Sequence, residues 1–494
     1  MFFLLNKQEN PIDIRDYNPH TTILEFLRQG GKCGTKEGCT SGDCGACVAM
    51  VGKVHEEKIV YESVNTCISP LGSLANKHLI TIEGIGGEND LHPVQEAMAR
   101  LHASQCGFCT SGFVASLACA YENETSLDEP TIEQYLSGNL CRCTGYLPII
   151  ESAKEAFKQK SPSYYQINQS KIVQQLQALP HTLQYSYQDK ECFFPSTTKE
   201  LETILQKHPK AKLIAGSTDI GVEITQLHKR FSVLVFLKNI ASLNQVIESE
   251  HNLELYANTS IEKCLNILIT HYPHAKDYML RFASKPIRSQ ASVAGNIANA
   301  SPIGDLPPLF VALGATITLN HYGDIRTLSL EKFFLDYKKT ALKEGEFIVS
   351  LTLPKLQNEK FWAYKISKRF EDDISAISLA CKYSEKEKSF VLAFGGMASM
   401  VKVATKTQEA LARTSVSETF DFDAISSALA QDFSPLDDVR ASKEYRLQIA
   451  AALCEKIHWQ LLGKEVPSLA FSHSEENRVS MQDDTSAPHE SGIS

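Results

Sequence analysis

Hydrophobic positions change their spacing several times along the chain, and each change marks an expected unit. In residues 1–87, short apolar runs alternate with turns: Ile12-Asp13-Ile14-Arg15, Ala46 to Val51, and Leu79-Ile80-Thr81-Ile82-Glu83. Runs of that length between turns predict strands, while Thr22 to Arg28 has helical spacing. The unit reads as a small mixed sheet crossed by one helix. In residues 88–157 the spacing turns helical, over His92–His102, Gly112–Glu122, Thr131–Ser137 and Ile149–Phe157, with turns at Glu129-Pro130 and around Gly138. That predicts a small helical bundle. Residues 158–190 are rich in Gln, Ser, Lys and Tyr and read as a linker with one helix, Lys171–Leu179. From Phe193 onward strands alternate with helical segments, the strands expected at Leu213–Ala215, Val233–Leu237, Ala315–Leu319 and Phe347–Leu353. A polar break at 354–360 divides this half into units of residues 191–358 and 359–468. The remainder, 469–494, is Ser-, Glu- and Asp-rich and is expected to be a disordered tail. There is no internal repeat.

A length of 494 residues suits three or four domains, and 43% apolar with 22% charged residues is ordinary globular composition. The formal net charge of −9 argues against nucleic acid or an anionic membrane as a partner. The N-terminus, Met1 to Asn6, has no basic stretch before its short apolar run, so no signal peptide is expected. The longest apolar stretch, Leu306–Leu319, opens with two prolines and is too short to span a bilayer. A cytoplasmic, reducing setting is therefore expected. There, clustered cysteines read as metal ligands rather than disulfides. The chain has 14 cysteines, ten of them within the first 143 residues.

Cys39, Cys44 and Cys47, followed by Cys67, spell C-x4-C-x2-C with a distant fourth cysteine, the plant-type [2Fe–2S] spacing. Three thiolates on one loop demand tight turns, for which Gly42 and Gly45 supply the backbone freedom. Backbone N–H groups brought close to the sulfurs would tune the potential. Zinc is the alternative, although it usually takes paired CxxC knuckles. Cys33 lies outside the pattern and is expected to be a small buried residue. A second set, Cys106, Cys109, Cys141 and Cys143, is a CxxC followed by a CxC in a turn bracketed by Gly138 and Gly145. Ligand type alone leaves zinc and [2Fe–2S] both open there. Cys119, in the apolar run Leu117 to Ala120, is expected to be structural. Arg142 is read either as a hydrogen-bond donor near the second set or as a solvated or capping residue.

Gly34 to Cys47, Gln105 to Cys109, and Cys141 to Tyr146 together resemble the two-cluster region of the xanthine oxidase family of molybdenum hydroxylases. The resemblance covers about residues 1–468. It implies a multidomain α+β chain: a β-grasp ferredoxin-like domain (1–87), a helical-bundle domain (88–157), an α+β FAD-binding domain (191–358) and a C-terminal α/β domain like that of carbon monoxide dehydrogenase flavoproteins (359–468). It implies that Cys39, Cys44, Cys47 and Cys67 hold one [2Fe–2S] cluster, and Cys106, Cys109, Cys141 and Cys143 the other.

Two further segments draw notice. Lys212 to Gly221 reads as strand, small polar turn and helix start, which presents N–H groups and the Ser217 and Thr218 hydroxyls to an anion. It is not GxGxxG. Ala291 to Asp305 has eight Gly, Ala or Ser among fifteen residues, suited to close approach of a planar ligand, or equally to an ordinary turn-rich connection with Asp305 as a helix cap. The family resemblance implies FAD contacts from Leu213, Ile214, Ala215, Gly216, Ser217, Thr218, Asp219 and Ile220, from Ser292, Val293, Ala294, Gly295 and Asn296, and from Phe282, Asp305, Ile348 and Lys365. Phe282 would lie near the isoalloxazine. On their own, Ile348 reads as strand core and Lys365 as a surface lysine.

Lys365 to Ser375 is most similar to the bacterial xanthine dehydrogenase branch of the family. Its acidic run Glu371-Asp372-Asp373 would tune flavin or nicotinamide access, or else form a solvated face. Ser217 stands where Gly or Asn is common, and Glu371-Asp372 where Asp-Gln is, which leaves pyridine-nucleotide preference open. The resemblance further implies a separate molybdopterin-binding large subunit in an (αβ)₂ assembly. That subunit would oxidise hypoxanthine to xanthine and xanthine to urate. Electrons would pass to the helical-domain cluster, the ferredoxin-like cluster, FAD and NAD⁺ in turn. No catalytic acid–base residue is expected on this chain. The alternatives are a subunit serving an aldehyde, N-heterocycle or carbon monoxide oxidising relative, and a non-catalytic redox carrier.

Overall fold

The computed structural model describes residues 1–87, 90–158, 160–370, 372–414, 419–467 and 469. The tail expected over 469–494 lies outside them, apart from Leu469.

The N-terminal unit is a five-stranded sheet in the spatial order Ile12–Asp13, Phe2–Leu5, His78–Ile80, Val48–His55, Lys58–Asn65. Phe2–Leu5 and His78–Ile80 run parallel and the other pairs antiparallel. Helix Ile23–Gln29 buries Ile23, Leu24, Phe26 and Leu27 and starts at a reciprocal cap between Thr22 and Glu25. Such a cap stabilises a helix by about 1 kcal/mol. This is the small mixed sheet crossed by one helix that the alternating runs predict, and the β-grasp that the family resemblance implies.

The next unit packs helices Pro93–Arg100, Thr110–Asn123, Glu129–Leu136 and Leu147–Lys158. Thr110–Asn123 is buried continuously from Ser111 to Tyr121, because the bundle surrounds it on one side and the β-grasp sheet covers the other. The segment 158–190 is not a free spacer. Helices Tyr164–Ile167 and Gln169–Gln177 lay Tyr165, Ile172, Val173 and Leu176 into that same core, and the Tyr165 hydroxyl donates to the Gly84 carbonyl at 2.6 Å.

The third unit has two sheets. One has the spatial order Gln184–Tyr187, Lys190–Phe193, Val233–Phe236, Lys212–Ile214, the last two pairings parallel. The other is antiparallel: Val246–Glu248, Asn252–Tyr256, Glu346–Pro354, Thr316–His321, Asp324–Ser329. The apolar stretch 306–319 divides into a buried helix, Leu306–Leu313, and the strand Thr316–His321 at Gly314, whose φ of +80° ends the helix. Among the described residues no helix is long and apolar enough to cross a membrane.

The last unit is an antiparallel meander, Glu359–Ile366, Ile377–Ser384, Ser389–Gly395 and Lys402–Val403, followed by helices Thr405–Thr414, Phe422–Asp432 and Lys443–Leu461.

These units share cores. Met1, Phe3, Leu5 and Ile14 of the β-grasp lie in one cluster with Phe194, Ile214, Leu234 and Phe236 of the third unit. The β-grasp is thus clamped between the helical bundle and the third unit, and its cysteine loop faces both.

Candidate metal and cofactor sites

The loop Cys39–Cys47 has no regular secondary structure. Its shape comes from Thr40, Gly42 and Gly45 in the left-handed region, with φ of +57°, +85° and +70°. That shape turns three main-chain N–H groups toward one sulfur: Ser41, Asp43 and Cys44 donate to Cys39 Sγ at 3.4, 3.3 and 3.3 Å. With Cys44 and Cys67 also facing it, the Cys39 thiol is held far below its ordinary pKa. A Cβ on Gly38 would lie 2.7 Å from Cys44 Sγ, so this approach needs glycine. Cys47 and Cys67 are buried, and Cys39 and Cys44 are half-buried. Cys33 is exposed, correcting the expectation of a buried residue. It sits in the turn after helix Ile23–Gln29, where nothing packs over it.

In the second set Cys106 and Cys143 face each other, Sγ to Sγ, at 3.6 Å, and Cys109 faces Cys141. Burial works to raise the Cys141 thiol pKa. Donation from the Thr144 hydroxyl (3.1 Å) and the N–H groups of Thr144 and Cys143 (3.4 Å each) outweighs it and lowers the pKa. Arg142 is exposed, and Cys119 is buried in helix Thr110–Asn123.

Among the described residues no three ligating side chains gather around one point, as a single ion needs. The thiols of the first set instead face one another in a row, Cys44 to Cys39 to Cys67 to Cys47, and those of the second in two pairs, Cys106 with Cys143 and Cys109 with Cys141. Four thiols in each set supply the two per iron that a diiron cluster takes, so both sets fit [2Fe–2S].

The two cysteine loops touch. The Leu140 N–H donates to the Cys44 carbonyl at 3.0 Å, and Asn139 Nδ2 donates to the Gly45 carbonyl at 3.2 Å. A Cβ on Gly45 would collide with the Gly138 carbonyl, so backbone lies directly on backbone. Leu140 precedes Cys141, and one hydrogen bond therefore joins a cysteine of one set to the neighbour of a cysteine of the other. The outer side differs. Cys106 and Cys143 are exposed beside Phe108, Leu140 and Leu147, all exposed apolar side chains.

A cavity of about 500 Å³ opens in the third unit between its two sheets. Leu213, Ala215, Gly216, Ser217, Thr218, Asp219, Ile220, Ser292, Ala294, Gly295, Asn296 and Ile348 all line it. A Cβ on Gly216 would collide with the Gln290 carbonyl, which brings two segments about 75 residues apart in sequence into backbone contact. Ser217 occupies a left-handed position, φ +61°, where Gly or Asn costs less. Its hydroxyl donates to the Gly216 carbonyl at 2.7 Å and so does not point to an anion.

Other expected contacts lie elsewhere. Ile214 and Val293 turn into hydrophobic cores. Phe282 lies in a hydrophobic core, and Asp305 and Lys365 form a separate buried pair, all three outside the residues that line the cavity. Lys365 Nζ reaches Asp305 Oδ2 at 2.8 Å and the Arg281 carbonyl at 2.9 Å, and the Ser375 hydroxyl donates to Asp305 Oδ1 at 2.6 Å. Lys365 is 2% exposed, which excludes the surface reading, and Asp305 makes no side-chain helix cap. In the acidic run, Glu371 lies outside the described residues. Asp372 Oδ2 accepts the Gly138 N–H at 2.6 Å and is therefore no solvated face.

Sequence reasoning missed Asn258, Phe347 and Lys338 on the cavity wall. Asn258, in the small polar turn Ala257-Asn258-Thr259-Ser260, carried a signal of the same kind as the two segments that were noticed. The Oδ1 atoms of Asn258 and Asn296 are buried on the cavity wall without a partner among the described residues. Two orphan acceptors and a glycine floor fit a large ligand that carries hydroxyl and N–H donors, such as FAD. Helix Thr218–Thr225 leads from this cavity to the first cysteine loop, where Thr225 Oγ1 and Gln226 Nε2 donate to the Thr40 carbonyl at 3.1 and 2.9 Å. Eight residues of helix span about 12 Å.

Comparisons with known proteins follow the same division. Residues 6–71 match the family described as 2Fe-2S iron-sulfur cluster binding domain, and 81–154 the [2Fe-2S] binding domain. Residues 185–356 match the FAD binding domain in molybdopterin dehydrogenase, and 362–461 the CO dehydrogenase flavoprotein C-terminal domain. Xanthine dehydrogenase of Emericella nidulans is 33% identical over 496 positions, covering 87% of this chain and 36% of that protein. Xanthine dehydrogenase/oxidase of Rattus norvegicus is 34% identical over 451, covering 80% and 34%. The chain thus spans about a third of the length of these curated relatives. Among solved structures, a carbon monoxide dehydrogenase chain of Hydrogenophaga pseudoflava is 20% identical with a TM-score of 0.49, covering 55% of this chain and 97% of that one.

Proposed function

The chain carries the iron–sulfur and FAD electron-transfer domains of a molybdenum hydroxylase, and from that premise we propose that it is the electron-relay subunit of a bacterial-type xanthine dehydrogenase. In this reading Cys39, Cys44, Cys47 and Cys67 hold one [2Fe–2S] cluster, and Cys106, Cys109, Cys141 and Cys143 the other. The cavity between Gly216 and Asn296 holds FAD. The clusters supply one-electron carriers, and the flavin supplies exchange between one-electron and hydride chemistry. A separate molybdenum-cofactor subunit oxidises hypoxanthine and xanthine, and NAD⁺ takes the electrons in the cytoplasm.

The observation that carries the reading is the unbroken line of contacts. It begins at the exposed pair Cys106 and Cys143, with a rim of Phe108, Leu140 and Leu147 for a partner to cover. It passes inward through the Leu140 N–H on the Cys44 carbonyl, and then along helix Thr218–Thr225 to the cavity. Each protein group has a defined part. The cysteines ligate, and the N–H groups on Cys39 favour the more negative, reduced cluster. Gly45 and Gly138 let the two loops meet, while Gly216 and the two orphan asparagine oxygens shape the flavin cavity. Burial of Cys47 and Cys67 keeps water from the inner cluster.

The test is to purify the native complex and measure xanthine-dependent NADH formation. Turnover of an aldehyde or another N-heterocycle but not xanthine would refute the purine assignment and leave the relay role. A chain without iron, inorganic sulfide or flavin after anaerobic, iron-replete expression would refute the relay itself.

A further inference from the structure

Asn65 belongs to neither cysteine set nor to the cavity, yet it is 1% exposed and its amide is aimed at the first cysteine loop. Its Nδ2 donates to the Gly42 carbonyl at 2.8 Å, a buried hydrogen bond across 23 residues of chain. Its Oδ1 is buried without a partner among the described residues. The side chain therefore carries the cost of a desolvated acceptor, and its single bond is the donation to Gly42.

That bond has a geometric consequence. The Gly42 carbonyl and the Asp43 N–H belong to the same planar trans peptide and point in opposite directions. Holding the carbonyl on Asn65 therefore aims the Asp43 N–H the other way, and there it meets Cys39 Sγ at 3.3 Å. Gly42, with φ of +85°, joins two peptides that rotate easily, so a bond from outside the loop helps to fix this plane. Asn65 itself is anchored. It pairs with Val48 in the sheet, its carbonyl accepts the Ser69 hydroxyl at 2.9 Å, and two residues later the strand end delivers Cys67. From this we infer that Asn65 is a positioning residue that sets the reduction potential of the first cluster by orienting the 42–43 peptide toward the Cys39 sulfur. An N–H donated to a thiolate stabilises the more negative, reduced cluster, so losing it lowers the potential.

The inference rests on Cys39, Cys44, Cys47 and Cys67 holding a [2Fe–2S] cluster, and the second cluster on the same chain is its internal control. Asn65→Leu keeps the volume without the donor, and Asn65→Ala removes both. Each variant is purified as the complete chain with its clusters and flavin, and titrated redox-potentiometrically with both clusters followed by their separate EPR signals. At a fixed ambient potential the ratio of reduced to oxidised first cluster is expected to fall about tenfold, equivalent to ~59 mV for a one-electron couple. The second cluster should not move. Pulsed EPR in D₂O should show one strongly coupled exchangeable proton fewer at the first cluster. Unchanged potentials with full iron content would overturn the inference, as would equal shifts of both clusters. Loss of the first cluster with no shift in any retained fraction would make Asn65 a scaffold residue and overturn it too. An unsubstituted chain with no first-cluster signal would instead refute the ligand assignment on which the inference stands.

Discussion

The two cysteine sets present four thiols each in opposite settings. The first is wrapped by its own loop, has three N–H groups on Cys39, buries Cys47 and Cys67, and lies between the β-grasp and the flavin unit. The second sits in a turn between helices, with Cys106 and Cys143 exposed and an apolar rim around them. The difference teaches a division of labour. In the function proposed above, the exposed site is where a partner approaches, and the wrapped site is where potential is tuned and water excluded.

Breaking either site gives the largest expected effect and separates their roles. Cys67→Ser should remove the first cluster and cut flavin reduction while leaving the second signal. Cys106→Ser should remove the second signal, yet leave the flavin reducible from NADH. Each variant should lose roughly half of the iron of the unsubstituted chain, read by metal analysis and EPR. A flavin in the Cys67→Ser chain that the proposed molybdenum subunit still reduces at full rate would break the order of the relay.

Gly45→Ala tests the contact between the sets. The residue needs φ of +70°, and its Cβ would meet the Gly138 carbonyl. A destabilisation of about 2–4 kcal/mol is expected, from left-handed strain plus overpacking. Denaturant unfolding checks the stability, and stopped-flow should show slower electron exchange between the clusters.

Acid should separate the two settings more gently. His20 Nε2 accepts the Phe231 N–H at 2.9 Å across the boundary between β-grasp and flavin unit, and burial pushes its pKa down to about 4. Burial likewise lowers buried His78 to about 4. Both folded values lie below the unfolded value of about 6.5, so the unfolded chain binds more protons between them. The stability these histidines contribute is complete above pH about 6.5 and is lost as pH falls toward 4, by up to about 3 kcal/mol for each. Calorimetry at pH 7 and 4.5 should show the β-grasp and flavin units loosening first. An equal loss in a His20→Asn chain would assign the effect elsewhere.

The smallest effect is expected at Ser217→Gly. The backbone conformation there suits glycine and the hydroxyl is turned onto the Gly216 carbonyl, so stability should rise by less than about 1 kcal/mol with flavin content unchanged. Loss of flavin in this variant would restore the hydroxyl as a ligand contact.

Much of this arrangement was legible beforehand. The four helices of the bundle match the helical segments read from spacing to within about two residues, because 3.6-residue periodicity survives in each. The strand–turn–helix at 212–221 was visible because its local backbone needs small residues. Lys365 was not legible: a lone lysine in a strand carries no mark of the Asp305 carboxylate, sixty residues away, that pairs with it. Lys338, and the bond from the Gly138 N–H to Asp372, were hidden for the same reason. The segment 158–190 read as a linker because its apolar residues are sparse, yet Tyr165, Ile172, Val173 and Leu176 suffice to bury one face against a core supplied by other units.

What the sequence by itself determined is local: which residues carry thiolates, how far apart they stand on one loop, and where the chain must turn. Short-range spacing and glycine positions constrain the backbone directly, so they can be read without knowing the fold. Only the tertiary structure decided which cysteine set is wrapped and which is exposed, that the Cys44 carbonyl meets Leu140, and that Asn65 takes hold of the Gly42 peptide. Those relations depend on burial and contact between segments tens to hundreds of residues apart. They arise from how the units pack, and no local pattern encodes them.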